Sequence, residues 1–391
     1  MRKGWEYKKL GEVCEVVTGT TPKTNIPEYW GKGHYWVTPA ELNDTTVYID
    51  KTERQITDEA LSKTKLRLLP VGTVLLSSRA PIGKVAIANA EMYCNQGFKN
   101  CICSEAIYNK YLFYFFRLKK DYLNSLGRGA TFKEISKSIV ERIKIPLPPL
   151  STQLAIVSEL DKINELIRLK KEQLKDFNNL AQSLFYEMFG DPVENEKGWE
   201  VKKLDDVCII TSSKRIFADE YTETGIPFYR SKEVIERSKG LPISVELFIS
   251  EERYNEIKEK FGVPKIGDIL ITAVGTIGKI WAIDTDNKFY FKDGNLVWLK
   301  DIDNQLANSC FFRRLLEYLI EEYKKTNANG AAYNALTIAK LKLMSCPLPP
   351  LSLQQLFAQR IEQIEREKSE VQKSIQHLET LLASRMQYWF E

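Results

Sequence analysis

Apolar residues in this chain follow two different rhythms, and each rhythm occurs twice. From Ile156 onward, steps of four and three land on Leu160, Ile163, Ile167, Lys170, Leu174, Phe177, Ala181, Leu184 and Met188, so nine positions in ten are apolar. A second run starts at Phe357 and continues through Ile361, Ile364, Lys368, Val371, Ile375, Leu378, Leu382, Arg385 and Trp389, eight in ten. A spacing that averages about 3.5 residues marks the seam of a coiled coil rather than the wider apolar face of a surface helix. Neither run contains Gly or Pro, so each predicts one helix of about 38 residues and about 55 Å. A helix of that length outreaches a domain of ordinary size. Two seams of equal length and register therefore predict helices that bury one another, running antiparallel. Lys170 and Lys368 break the two seams at unlike positions and would help to fix the register.

The stretch ahead of each seam has the shorter rhythm. Runs such as Val74-Leu75-Leu76 and Val85-Ala86-Ile87 are separated by Gly, Pro and Asn, which predicts short strands joined by turns. One helical stretch interrupts each set, Tyr108 to Leu118 and Cys310 to Tyr323. Pro-rich segments, Ile145-Pro146-Leu147-Pro148-Pro149 and Pro347-Leu348-Pro349-Pro350, then stop sheet and helix alike.

The chain is a tandem duplication. Gly4-Trp5-Glu6 recurs as Gly198-Trp199-Glu200, 194 residues later, and the run from Gly72 recurs from Gly267, 195 later. The runs from Gly129 and Pro146 recur from Gly330 and Pro347, each 201 later. Repeated units are the first thing to settle in a fold. Here they predict an α+β architecture: two mixed α/β domains, 1–149 and 191–349, related by a pseudo-two-fold axis and separated by two long antiparallel coiled-coil helices, 150–190 and 350–391. Trp5 and Trp199 are expected in the two cores, and Gly83, Gly278, Gly129 and Gly330 at turns.

Composition narrows the class. Of 391 residues, 43% are hydrophobic and 28% charged, which excludes a largely disordered chain. No apolar run reaches the ~18 residues of a membrane span, and no apolar segment follows the basic residues at the N-terminus. The expectation is a soluble, cytoplasmic protein. Seven cysteines without a C-x-x-C pair, and only His34 and His377, argue against a disulfide framework and a zinc site. Reduced, buried thiols are expected.

The net charge of +4 conceals an imbalance, because residues 1–149 carry +8 and residues 191–349 carry −2. A basic domain with cations in its loops points to phosphate. The side chains expected to meet a phosphate-bearing partner are Arg79, Lys84, Lys99, Arg128 and Lys133 in the first domain. In the second they are Arg230, Lys232, Lys279, Lys292, Tyr333 and Asn334. Arg79 and Arg128 lead, because both stand beside turn residues from which a side chain can enter a groove. Glu256-Ile257-Lys258 has the spacing of a metal-dependent nuclease, but it lies within EERYNEIKEK, which reads as a solvated helix face. No G-x-x-x-x-G-K-[S/T] occurs, so no ATP motor is encoded. No catalytic residue and no metal ligand is assigned.

Met188-Phe189-Gly190-Asp191-Pro192-Val193, followed by Asn195, Lys197, Gly198 and Trp199, resembles the junction found in specificity subunits of type I restriction–modification systems. The Pro-Leu-Pro-Pro-Leu entry to each helix and the Ile82-Gly83-Lys84 and Ile277-Gly278-Lys279 hairpins resemble the same family, over essentially the whole chain. One departure is that Gln153 and Gln355 lack the preceding Glu of the family pattern. The resemblance implies two target recognition domains, each reading one half of a split, asymmetric target in double-stranded DNA, with the helices as spacer. It also implies two methyltransferase subunits as partners, which use S-adenosylmethionine to methylate adenine N6. A restriction and motor subunit that uses ATP and Mg joins the full complex. This chain would bind no cofactor and perform no catalysis, and it contains neither NPPY nor DPPY, the loop an adenine methyltransferase requires. The competing readings are a nuclease or methyltransferase with an unrecognised site, the specificity subunit of a related type II-like bipartite restriction–methylation enzyme, and a non-catalytic coiled-coil interaction protein.

Overall fold

A computed structural model of the chain describes residues 5–79, 81–129, 133–326 and 335–391. Two compact units emerge: Met1–Glu172 with Val371–Glu391, and Gln173–Glu370. Neither is continuous in sequence, and neither ends where a long helix begins. Each long helix is a single 40-residue element, Leu150–Phe189 and Leu351–Phe390, and the unit boundary falls within both of them.

In the first unit a five-stranded sheet has the order Cys14–Thr18, Lys99–Cys103, Val74–Leu76, Val85–Ala88, Tyr48–Ile49. A three-stranded sheet sets Trp30–Val37 between Gln55–Ile56 and Tyr93–Cys94. The expected helix spans Asn109–Leu118, and all six residues from Tyr111 to Phe116 are buried. A helix apolar on every side has to be enclosed on every side. Part of that enclosure comes from the far end of the chain, where the Phe390 ring centroid lies 4.9 Å from that of Tyr111 and 6.0 Å from that of Phe115.

The second unit repeats the plan. A four-stranded sheet orders Ile209–Thr211, Leu296–Lys300, Ile269–Thr272 and Ile280–Ala282, and another orders Tyr221–Thr222, Phe248–Ile249, Ile226–Tyr229 and Tyr290–Phe291. The second helical stretch spans Ser309–Thr326. The charge-rich run forms the helix Glu251–Phe261, on which Glu256 is exposed and pairs with Arg253 at 3.0 Å. In each unit the Pro-rich segment forms a two-stranded ribbon with the start of the repeat: Glu6↔Leu147 through Lys9↔Lys144, and Glu200↔Leu348 through Lys203↔Ser345. A two-stranded ribbon tolerates proline because one side of each strand needs no partner.

The entry to each long helix is locked by a fully buried glutamine. Gln153 donates to the Ala106 and Pro148 carbonyls at 3.0 and 2.9 Å and accepts the Tyr108 N–H at 2.9 Å. Gln354 donates to Leu306 and Pro349 at 3.0 and 2.7 Å and accepts the Asn308 N–H at 2.8 Å. The partner of Gln153 in the repeat is therefore Gln354, not the exposed Gln355. Counting forward from Gln153 by the 201-residue offset of the prolines gives the same answer.

Ile156, Leu160, Ile163, Ile167, Leu184, Phe357, Ile361, Ile364, Val371 and Ile375 are buried, and Leu174, Phe177, Leu378 and Leu382 are half-buried. Inside the first unit the two helix segments run in opposite directions. Arg385 and Trp389 bind Glu159, the latter through Nε1 at 3.0 Å, and Lys171 pairs with Glu379 at 2.8 Å. Lys368 is held by Glu365 of its own helix at 2.9 Å.

Both tryptophans are half-buried: Trp5 packs against the core of the first unit as expected, whereas Trp199 serves a helix end. Trp199 is half-buried and donates through Nε1 to the Phe189 carbonyl at 2.8 Å, while Lys197 donates to Glu187 and Met188 carbonyls at 2.6 and 3.1 Å. These bonds satisfy carbonyls that the last turn leaves open, and Gly190, at φ +75°, supplies the left-handed residue that lets the chain turn away. Trp5 stacks on Trp389 with centroids 6.2 Å apart and planes 3° apart.

The described cysteines are free. Burial pushes the Cys94, Cys208 and Cys346 thiols up to about 12, so the thiolate that reacts is scarce at neutral pH. These three are expected to label with Ellman's reagent at pH 7.5 only after denaturant is added. Rapid labelling of any of them in the native protein, read by peptide mapping, would contradict the packing.

Candidate nucleic-acid interface

The five cations expected in the first domain come from three loops that hydrogen bonds tie together. The hairpin after strand Val74–Leu76 closes on Ser77, whose hydroxyl donates to the Pro81 carbonyl at 2.7 Å and accepts the Lys84 N–H at 2.8 Å. Gly83, at φ +89°, donates its N–H to the Ser77 carbonyl at 3.0 Å. Next to it, Ser78 N–H reaches the Gly97 carbonyl at 2.7 Å and Ile135 N–H reaches the Ser78 carbonyl at 2.9 Å. Arg128 and Glu134 exchange both backbone bonds, at 3.0 and 2.9 Å. Arg79, Lys84, Lys99, Arg128 and Lys133 thus sit on one bonded framework despite spanning more than fifty residues of sequence.

Their roles on it differ. Lys99 is buried, and its ammonium is held by Glu134 at 2.9 Å and the Ser78 hydroxyl at 3.2 Å. It is an internal strut that fixes the loop of Glu134, and its charge is not offered outward as expected. Lys84 is half-buried and donates to the Pro39 carbonyl at 3.0 Å, and among the described residues it forms no ion pair with a carboxylate. Arg128 and Lys133 are exposed and Arg79 half-buried, and among the described residues none of the three has a carboxylate partner. The positive charge available to an anion therefore rests on Arg79, Lys84, Arg128 and Lys133.

The second unit builds the same framework from other residues. Thr272 takes the place of Ser77, accepting the Lys279 N–H at 2.9 Å and donating to the Thr276 carbonyl. Gly278, at φ +80°, bonds back to the Thr272 carbonyl at 2.8 Å. Ala273 N–H reaches the Asn295 carbonyl at 2.8 Å, and Leu336 N–H reaches the Ala273 carbonyl at 2.9 Å. Each bond has its counterpart in the first unit.

The cations of this second framework are fewer. Lys279 and Lys292 are half-buried, and among the described residues they have no carboxylate partner. Arg230 and Lys232 depart from the expectation. Glu246 binds Lys232, and it binds Arg230 at 2.8 Å, with Glu233 also on Arg230 at 3.2 Å. Hydrogen bonds from Lys232 and then Arg230 hold the Glu246 carboxyl down to about 2, so the cluster stays ion-paired at neutral pH. Tyr333 and Asn334 lie outside the described residues.

Sequence reasoning missed the residues that build the framework rather than decorate it: Ser77 and Thr272, Gly97 and Asn295, and Glu134. The pair Ser77 and Thr272 was legible, since both stand 195 residues apart and both carry a hydroxyl ahead of an Ile-Gly-Lys turn. Glu134 gave no signal, because a carboxylate that pairs across a loop has no sequence spacing.

The family described as the type I restriction modification DNA specificity domain matches residues 2–177 and again 196–380. The chain is 33% identical over 401 residues to the type I restriction enzyme MjaIX specificity subunit of Methanocaldococcus jannaschii, covering 97% of this chain and 91% of the relative. The type I restriction enzyme EcoKI specificity subunit of Escherichia coli K12 is 22% identical over 410 residues, covering 95% and 84%. A chain solved in work on complex assembly and conformational transition of the type I R-M system shares the fold, with a TM-score of 0.69 and 22% identity over 99% of this chain and 97% of that one.

Proposed function

The chain belongs to the type I restriction modification DNA specificity family, and from that premise we propose that each of its two mixed α/β domains reads one half of a bipartite, asymmetric DNA target. The observation that carries this reading is the repeated framework with unlike residues on it. Ser78-Arg79 stands in one unit where Ala273-Val274 stands in the other, on the same backbone bonds. A frame repeated with changed side chains suits two contacts of one kind with different base sequences.

In this reading the long helices pair as one antiparallel coiled coil, set the gap between half-sites and dock two methyltransferase subunits. Those partners use S-adenosylmethionine, and a restriction and motor subunit using ATP and Mg completes the cytoplasmic complex. The chain itself contributes recognition and no chemistry, and the solvated, ion-paired Glu256 supports that division over a nuclease. The uneven charge adds a second element. The first half-site is held by the chain's own cations, whereas part of the second half-site's affinity comes from the partner subunits.

The test is Arg79→Ala, read by selecting preferred sequences from randomised duplex DNA at two salt concentrations. The first half-site is expected to weaken or relax by roughly tenfold, with the second unchanged. Equal loss at both half-sites would contradict one domain per half-site. Binding without sequence preference in the unmodified protein would favour the interaction-protein reading instead.

A further inference from the structure

A second cationic station in the first unit is built on the strand Trp30–Val37. Trp30 and Trp36 meet edge to face, with centroids 4.8 Å apart and planes at 82°. Each indole N–H is tied to a backbone carbonyl, Trp30 to Lys23 and Trp36 to Thr20, both at 3.2 Å. On this fixed pair lies the Arg54 guanidinium, its central carbon 3.8 Å from the Trp30 ring centroid and 5.5 Å from that of Trp36. Arg54 is exposed, and among the described residues it has no carboxylate partner.

The local sequence builds the site. Trp30 and His34 both register against Ile56, so the strand bulges between them. Gly33 makes the bulge possible, since a Cβ there would come within 2.4 Å of the Ile56 carbonyl oxygen, and its N–H is taken by Gln55 at 2.9 Å. A bulge re-aims the residues it carries; this one brings Trp30 back over Trp36 and leaves Lys32 exposed. The resulting cleft of about 410 Å³ is lined by Trp30, Gly31, Lys32, Glu53, Arg54 and Gln55.

A guanidinium centred over an indole ring keeps N–H donors that the ring does not use. Those donors match either a phosphate or the O6 and N7 acceptors of guanine. Glu53 in the same cleft favours guanine: even beside Lys32 it brings a carboxylate, which has no donor for a phosphate yet accepts a hydrogen bond from the N4 amino group of cytosine. We propose that Arg54, held on Trp30, reads a guanine in the half-site of the first domain, with Glu53 facing the paired cytosine. This rests on the reading of that domain as a DNA reader and adds to it a base and the residues that choose it.

Selection of preferred sequences from randomised duplexes by the full-length chain tests the proposal, using Arg54→Lys and Arg54→Ala. Lysine keeps the charge but loses the two-donor fork, so both variants are expected to lose a guanine preference of roughly tenfold at one position while the rest of the motif survives. If Arg54→Ala fails to fold, as judged by circular dichroism, Arg54→Lys alone decides. An unchanged motif in Arg54→Lys, with affinity retained and Arg54→Ala weaker on all sequences alike, would assign Arg54 to phosphate and overturn the proposal. An unchanged motif and affinity in both would leave only a surface stack and also overturn it. Both of those results leave the DNA reading intact, whereas no motif in the unmodified protein would remove that reading and this proposal together.

Discussion

Phe185→Ala is expected to destabilise the second unit by about 3–5 kcal/mol, measured by urea unfolding of the full chain followed by tryptophan fluorescence. Phe185 comes from the first long helix, yet it is 1% exposed at the centre of the second unit's core. Its ring lies 5.1 Å from Phe189, 5.8 Å from Phe311, 4.6 Å from Tyr318 and 5.7 Å from Phe357, centroid to centroid. Those rings come from three helices and cannot all move inward to fill one gap. The void therefore persists, and a persistent void is what separates the high end of such losses from the low. A cost below about 1 kcal/mol would show that this aromatic cluster does not join the helix to the domain.

The second large effect is expected from Gln354→Leu, at about 3 kcal/mol or more, and a comparable one from Gln153→Leu. Leucine fills the space but leaves the Asn308 N–H and the carbonyls of Leu306 and Pro349 buried with no partner. Each buried group left unpaired costs about 1–3 kcal/mol. The control is Gln355→Leu, which alters an exposed neighbour and is expected to stay within about 0.5 kcal/mol of the unmodified protein. Equal behaviour of Gln354→Leu and Gln355→Leu would refute the assignment of the helix lock.

Periodicity made the long helices legible, because a 3.5-residue rhythm over ten positions leaves few alternatives. The helix Asn109–Leu118 was legible for the opposite reason, since its aromatic run has no polar face to place in water. The sheets were less so: two-residue strands such as Gln55–Ile56 or Tyr93–Cys94 are defined by partners far away in sequence. Among the site residues, a side chain's type suggested a contact but not its neighbours. Lys99 and Arg230 look like Arg128 in a sequence, and only folding brings Glu134 and Glu246 to two of them. Arg54 escaped notice because nothing near it in sequence announces the two indoles beneath it.

That neither compact unit is contiguous has a consequence for synthesis. The first unit needs Val371–Glu391, which are made after the whole of the second unit, and Phe390 completes the packing around Tyr111 and Phe115. At a translation rate of ~10 residues per second, the slot for Phe390 stays open for some twenty seconds after residue 172 has been made. The second unit, Gln173–Glu370, is complete before that wait ends. The first unit therefore closes only after the second is complete, and a nascent chain stalled between residues 370 and 390 would expose the aromatic core of the first unit rather than that of the second.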